Sequence, residues 1–122
     1  MPATDQRFYD PKKNGNVWII QLCPAFEEKR ARESEDIPSN VSGIYRYLSE
    51  SGEIVYIGRG YIKGRLKSPE RQDWVFDVVE YSEVKNPDLQ VKWEAFWIEK
   101  FREQNNGKFP VYNKVSGFKE NE

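Results

Sequence analysis

The stretch "GIYRYLSESGEIVYIG", residues 43–58, decides the fold of this 122-residue chain. It predicts two β-strands around a turn, because Tyr, Ile and Val favour strands and the central "SG" is a turn signal. A two-residue turn places Tyr47 opposite Tyr56 and Tyr45 opposite Gly58, so that the three tyrosines share one face of the sheet. A loop one residue longer would send Tyr45 and Tyr56 to opposite faces. By pattern alone, such tyrosines fit either a structural aromatic cluster or a functional site.

The rest of the chain predicts a single α+β domain, a small antiparallel sheet made of the hairpin plus a third strand and flanked by helices. The third strand is predicted over residues 73–84, and a short basic helix over 61–68. A long helix is predicted to begin with Asn86 as its N-cap and Pro87 as its first residue. The sequence Asn-Asn-Gly at 105–107 predicts its end.

The remaining predictions assign segments. The main domain is predicted over residues 43–115, after an N-terminal extension over 1–42 and before a tail over 116–122. Within and beside these we predict a loop over 1–16, a buried strand over 16–22, a charged surface helix over 24–36, a linker over 37–42 and an extended segment over 110–113.

The amino-acid composition excludes several kinds of catalytic and metal-binding site. The chain has no histidine, which excludes histidine-based nucleophile systems and histidine zinc sites. Cys23 is the only cysteine, so an internal disulfide and a cysteine metal cluster are excluded as well. No run of 18 apolar residues occurs and no targeting signal is evident, so we expect a cytoplasmic protein that does not interact with membranes.

Two charge patterns point to a site. Residues 59–71 carry five cations and one anion, although the whole chain has a net charge of −1. This segment is either a solvated face or a phosphate-binding patch. On the long helix, at about 100° per residue, Glu94 falls within an apolar arc, in a row with Val91, Ile98 and Phe101. A carboxylate there needs a partner, and an arginine or a divalent metal would serve equally well.

The chain resembles the GIY-YIG nuclease family. The two defining tripeptides stand here as Gly43-Ile44-Tyr45 and Tyr56-Ile57-Gly58, separated by ten residues. Three further elements follow in order: Arg65 in "KGRL", Glu94 in "WEAFWIEKF" and Asn113 in "VYN". The resemblance covers residues 43 to 115, about 60% of the chain.

The resemblance implies a DNA endonuclease that hydrolyses phosphodiester bonds with one bound Mg²⁺ or Mn²⁺. Glu94 would be the metal ligand. Tyr45 and Tyr56 would line the site, and one of them would activate the water or position the phosphate. Arg65 would neutralise the phosphate, and Asn113 would help to order the site.

Three further cations are candidates for phosphate binding: Arg59, Lys63 and Lys67. They matter because the spacing from Tyr56 to Arg65 is one residue shorter than the resemblance leads us to expect. Lys63 or Arg59 would be the substitute if Arg65 were displaced along its helix. The gap from Glu94 to Asn113 is longer than in the excision-repair members, which predicts an insertion near residues 105–110.

Three rival interpretations remain. The same fold could be a catalytically inactive module that binds nucleic acid or protein. A metallonuclease of the PD-(D/E)xK class is disfavoured, because no Asp/Glu-x-Lys follows Pro87-Asp88. A purely structural domain would leave the basic segment without a role. The DNA structure that would be recognised is open, and so is whether a homodimer or a partner protein chooses the target.

Overall fold

A four-stranded antiparallel sheet forms the centre of the computed structural model, which describes residues 24–113. Its strands lie in the order β1-β4-β2-β3. They are β1 (Glu28–Ala31), β2 (Ser42–Leu48), β3 (Ile54–Tyr61) and β4 (Val78–Glu83). The helices are α1 (Ile62–Leu66) and α2 (Pro87–Gln104), with a 3₁₀ turn at Pro69–Arg71. The predicted α+β class is confirmed, with four strands in the sheet.

The β2–β3 hairpin has the predicted pairing but not the predicted turn. Tyr45 lies opposite Gly58, and Tyr47 lies opposite Tyr56. Of the two loop lengths considered, the longer one is present: the N–H of Ser49 donates to the carbonyl of Glu53 at 2.8 Å. A β-bulge directly after Tyr47 in the ladder then restores the register. The tyrosines therefore share a face although the loop is longer.

The sheet has a separate core on each face. On one face the buried residues are Ile37, Tyr45, Tyr47, Val55, Ile62, Leu66, Phe76, Val79 and Tyr81. On the other face α2 covers a smaller core of Ile44, Val84 and Trp93. Strand residues alternate between these faces except at the bulge in β3, where the neighbours Val55 and Tyr56 both pack in the first core.

Helix α2 begins and ends where the sequence predicts. The side chain of Asn86 accepts hydrogen bonds from the backbone N–H groups of Asp88 and Leu89, at 2.8 and 3.2 Å. At the other end the N–H of Gly107 donates to the carbonyl of Arg102 at 2.7 Å. Gly107 has a φ of +81°, which glycine adopts readily.

The charged helix predicted over 24–36 is wrong. Glu28–Ala31 is strand β1, which pairs with β4, and turns follow it. An edge strand can carry charges because much of it faces solvent, and its charged residues look like those of a surface helix. Strand β1 lies inside the predicted extension over 1–42, so part of that extension joins the same sheet.

Two further boundaries differ. The third predicted strand, 73–84, begins only at Val78. Before it the chain is irregular, and the guanidinium of Arg32 donates to the carbonyls of Trp74 and Phe76, at 2.7 and 3.2 Å. Residues 110–113 form a turn rather than an extended segment, closed by a 2.9 Å hydrogen bond from Asn113 N–H to the carbonyl of residue 110.

The segments predicted over residues 1–16, 16–22 and 116–122 lie outside the described residues, as does Cys23. Neither of the helices described between residues 24 and 113 combines the length and the apolar character needed to cross a membrane.

Candidate active site

One carboxylate and two arginines meet where β3 passes into α1; we call Arg59, Arg65 and Glu94 the edge cluster. Arg59 Nε donates to Glu94 Oε1 at 3.2 Å. Arg65 is near enough that its charge lowers the pKa of the Glu94 carboxyl. Its side chain lies over Gly60, where an added Cβ would come within 2.7 Å of Arg65 Nε. Gly60 also has a φ of +118°, so a larger residue would be strained there. Three elements thus bring together three of the predicted site residues.

Glu94 lies at the rim of the buried face of α2. Its side chain is 24% exposed, while Val91 in the same row is 48% exposed. The row expected near the middle of the apolar arc is therefore at its border, and the helix buries Trp93 instead. Burial raises the pKa of Glu94 above its usual 4.5, and the charges of Arg59 and Arg65 offset part of this effect. The carboxylate is thus partly desolvated but still reachable from solvent.

The donor set fits a magnesium ion that keeps most of its water. Residues 24–113 contain no group of three or more His, Cys, Asp and Glu side chains that could hold a metal. Mg²⁺ is commonly bound by one or two carboxylates, with waters and substrate phosphates as its other ligands, so Glu94 can supply the protein's share. The hydrogen bond from Arg59 leaves acceptor sites on a carboxylate, which has about four. An arginine partner is therefore present, and a metal ligand role is compatible with it.

The two predicted lysines lie in a different pocket. Lys63 and Lys67 line a narrow pocket together with Glu33 and Glu35 from the segment that follows β1. None of the edge cluster residues lines this pocket. The predicted phosphate-binding cations are therefore divided, with Arg59 and Arg65 beside Glu94 and the lysines beside acidic side chains.

The tyrosines lie on the opposite face of the sheet from Arg59 and from helix α2, which carries Glu94. Arg59 is opposite Ile44 in the ladder, and Ile44 packs in the core under α2. Tyr45 and Tyr56 belong to the alternate positions, with ring centroids 6.0 Å apart. The structure therefore brings the two predicted tyrosines together but separates them from Glu94 by the thickness of the sheet.

Arg71 connects the tyrosines; we call Tyr45, Tyr47, Tyr56 and Arg71 the tyrosine cluster. Nη1 of Arg71 donates to the hydroxyl oxygens of Tyr45 and Tyr47, at 2.6 and 2.8 Å. Nη2 donates to the hydroxyl oxygen of Tyr56 at 3.2 Å. Arg71 is 4% exposed, and its Nε has no hydrogen-bond partner among residues 24–113. Burial by itself would lower the pKa of Arg71, but the tyrosine oxygens raise it, so the guanidinium stays charged.

The two predicted tyrosines, Tyr45 and Tyr56, differ in their burial and therefore in their accessibility to a substrate. Tyr45 has no exposed surface, and its burial raises the pKa of its phenol well above the usual 10.0. Burial raises the pKa of Tyr47 as well. Both phenols are therefore neutral at physiological pH. Tyr56 is only half-buried and borders open space, so it is the tyrosine that a substrate can reach.

That open space is a cleft of about 430 Å³; we call it the Tyr56 cleft. Its lining residues are Tyr56, Glu70, Arg71, Trp74, Tyr112 and Asn113. Asn113 fastens the turn at 110–113 to the edge of β3: its Oδ1 accepts from Ile57 N–H at 2.9 Å, and its Nδ2 donates to the Ile57 carbonyl at 2.8 Å. Asn113 thus orders one wall of the cleft through the backbone of β3.

Arg71 is the residue that the sequence did not single out. It was one of five cations in a basic segment, and an arginine after a proline-stopped helix has no local signal of burial. The only available hint was the three same-face tyrosine hydroxyls, which need polar partners when buried.

Comparisons of this chain with known proteins identify no relative. No family model matches this chain, and no curated protein matches it significantly.

Proposed function

We propose that this chain is a Mg²⁺-dependent endonuclease that hydrolyses DNA phosphodiester bonds. The observation that carries the proposal is the edge cluster, where the Glu94 carboxylate and the two arginines predicted to bind phosphate converge from α2, β3 and α1. A metal-binding carboxylate beside two cations suits a phosphodiester, whose charge must be neutralised as the bond breaks.

Each residue has a limited role in this proposal. Glu94 would hold Mg²⁺ (or Mn²⁺), which, when bound, acts as a Lewis acid on the phosphate. Arg59 and Arg65 would bind the non-bridging oxygens and neutralise the charge that grows on them. Tyr56 would be the tyrosine that contacts the substrate, because Tyr45 is fully enclosed. A cytoplasmic location remains a prediction from sequence.

A second candidate function is a catalytically inactive module that binds nucleic acid or protein. It is favoured by the hydrogen bond that Arg59 already makes to Glu94, since such an ion pair can be purely structural. It is also favoured by the separation of the tyrosines from Glu94 across the sheet.

Nicking of supercoiled plasmid tests the proposal. The unmutated chain is assayed with Mg²⁺ and with EDTA, and Glu94→Gln and Glu99→Gln are assayed with Mg²⁺. Glu99 is the matched control, because it is an exposed carboxylate on the same helix that pairs with Arg102. We expect nicking by the unmutated chain and by Glu99→Gln in Mg²⁺, and none in EDTA or by Glu94→Gln.

Other results point elsewhere. Equal nicking by Glu94→Gln would show that the site is assigned wrongly or that the activity is a contaminant. Absence of cleavage on plasmid, single-stranded and branched DNA, with DNA binding retained, would favour the inactive module.

A further inference from the structure

The Tyr56 cleft has the chemistry of a binding site for a neutral, planar ligand. Its aromatic wall consists of Tyr56, Trp74 and Tyr112, and the rings of Trp74 and Tyr112 stack with centroids 4.7 Å apart and planes 4° apart. At about 430 Å³ the cleft lies within the range of ordinary small-ligand pockets. The charges at its border are one cation, Arg71, and one anion, Glu70. Because these balance, the cleft offers no net attraction to a phosphate.

The cleft also offers hydrogen-bond donors that lack acceptors. The hydroxyl oxygen of Tyr56 accepts from Arg71, so its own proton remains free to be donated. The hydroxyl oxygen of Tyr112 likewise accepts from the backbone N–H of Val75, at 2.8 Å. Within residues 24–113, neither phenol donates a hydrogen bond to another residue. A ligand with ring nitrogens or carbonyl oxygens would supply the missing acceptors.

The Tyr112 wall is held in place from three sides. The backbone N–H of Tyr112 donates to the carbonyl of Val55 at 2.9 Å, and its hydroxyl oxygen accepts a hydrogen bond from the N–H of Val75. The side chain of the next residue, Asn113, accepts a hydrogen bond from the N–H of Ile57. Such fixed aromatic walls bind bases by stacking with little loss of side-chain freedom.

Strand β3 connects the Tyr56 cleft to the edge cluster. Tyr56 and Arg59 are three residues apart, which is about 10 Å of strand. They point to opposite faces of the strand that forms the edge of the sheet. A nucleic-acid strand that crosses this edge could place a phosphate at Arg59 and a neighbouring base on the tyrosine face.

From these observations we propose that the Tyr56 cleft binds one unpaired nucleobase of the DNA substrate, stacked against its aromatic wall and hydrogen-bonded to the free phenol protons. The proposal rests on the DNA endonuclease function proposed above. It makes the chain selective for DNA with a bulged, flipped or single-stranded nucleotide near the cleavage point. A paired base cannot enter the cleft unless it leaves the helix, which costs free energy.

The test compares two labelled DNA duplexes in EDTA, so that no cleavage occurs. One duplex is fully paired, and the other carries a single bulged 2-aminopurine. Affinities are measured by fluorescence anisotropy, and stacking is measured by quenching of the 2-aminopurine. We expect the bulged duplex to bind about 5- to 150-fold more tightly, the range expected from stacking one base on aromatic side chains.

Variants of Tyr112 test whether the preference for the bulged duplex arises in the Tyr56 cleft. Tyr112→Leu should abolish the preference and the quenching, while binding of the paired duplex is unchanged. Tyr112→Phe, which keeps the ring, should retain most of both. The matched control is Phe109→Leu, which removes another half-buried aromatic ring, from a separate pocket beside the end of α2. Far-ultraviolet circular dichroism is used to verify that each variant is folded.

Two results would overturn the proposal while leaving the proposed function intact: equal binding of the two duplexes by the unmutated chain, or an equal loss of preference in Phe109→Leu and Tyr112→Leu. Failure of the folded, unmutated chain both to bind either duplex and to nick plasmid in Mg²⁺ would overturn both the nucleobase site and the DNA endonuclease function.

Discussion

Arg71 donates a 2.6 Å hydrogen bond to the hydroxyl oxygen of Tyr45, in the core on the sheet face away from α2. Arg71 is buried, yet none of the ion pairs found within residues 24–113 includes it. Burying a guanidinium without a carboxylate costs several kcal/mol unless other polar groups compensate. The phenol oxygens of the tyrosine cluster therefore stabilise the buried charge of Arg71 in place of a carboxylate counter-ion.

The first prediction concerns this bond. Tyr45→Phe removes a hydrogen-bond acceptor from a buried charge, and we expect the free energy of unfolding to fall by about 1.5–3 kcal/mol. Tyr56→Phe should cost less, because its bond to Arg71 is longer, at 3.2 Å, and its site is partly open to water. Urea unfolding of both variants measures the difference. A Tyr45→Phe variant as stable as the unmutated chain would mean that the bond contributes nothing net.

The tyrosine face shows how far the sequence could lead. Alternation along two strands, together with a two-residue turn, predicted that Tyr45, Tyr47 and Tyr56 share one face, and the observed pairing has them there. The prediction is right for a partly wrong reason, because the loop is longer than the turn signal suggested and a bulge compensates for it. A bulge depends on packing across the sheet, which a local pattern does not contain.

The edge cluster was less accessible from the sequence. Helical periodicity found that Glu94 faces inward, but it placed the carboxylate too deep, because it does not reveal which part of the apolar arc meets the sheet. The partnership with Arg59 is a contact between residues 35 positions apart, and the burial of Arg71 depends on the tyrosines of two other elements. Such long-range pairs become visible only once the sheet is assembled.

The second prediction distinguishes the role of Arg65 from that of Lys67. Arg65→Gln should lower the rate of plasmid nicking by about 100-fold or more, the usual effect of removing a group that stabilises transition-state charge. Lys67→Gln should leave the rate largely unchanged, because Lys67 lies beside Glu33 in another pocket. Single-turnover nicking rates measure both. Equal losses in the two variants would place the phosphate across the whole basic segment instead.

The third prediction uses the raised pKa of Glu94. In EDTA the folded chain holds the Glu94 proton more tightly than the unfolded chain does, because burial raises the pKa above its usual 4.5. Between that value and the raised pKa the folded state binds more protons, so stability falls as the pH rises through this window. Below the window the carboxyl is protonated in both states, so the contribution of Glu94 to stability no longer changes with pH.

Glu94→Gln is neutral throughout and lacks this fall. We therefore expect its stability relative to the unmutated chain to increase as the pH rises above 4.5 and then to level off. Urea unfolding across the acidic and neutral range measures this difference, and Glu99→Gln controls for the loss of a carboxylate from the same helix. A difference that is constant with pH would contradict the burial of Glu94.

The last prediction contrasts two glycines. A Cβ at Gly58 would come within 2.6 Å of the Tyr56 ring and 2.7 Å of the Tyr45 hydroxyl, so that the tyrosine cluster would have to move. We expect Gly58→Ala to cost about 1–3 kcal/mol of stability, as overpacking of a core does. A Cβ at Gly64, within α1, would meet only Tyr61 Cβ, at an ordinary 3.8 Å. Gly64→Ala should therefore stabilise the chain by about 0.5–1 kcal/mol, through higher helix propensity. Thermal unfolding of both variants measures these effects. Tolerance of Gly58→Ala would mean that the glycine of the second tripeptide is not needed to seat the tyrosines, and destabilisation by Gly64→Ala would contradict the open space beside Gly64.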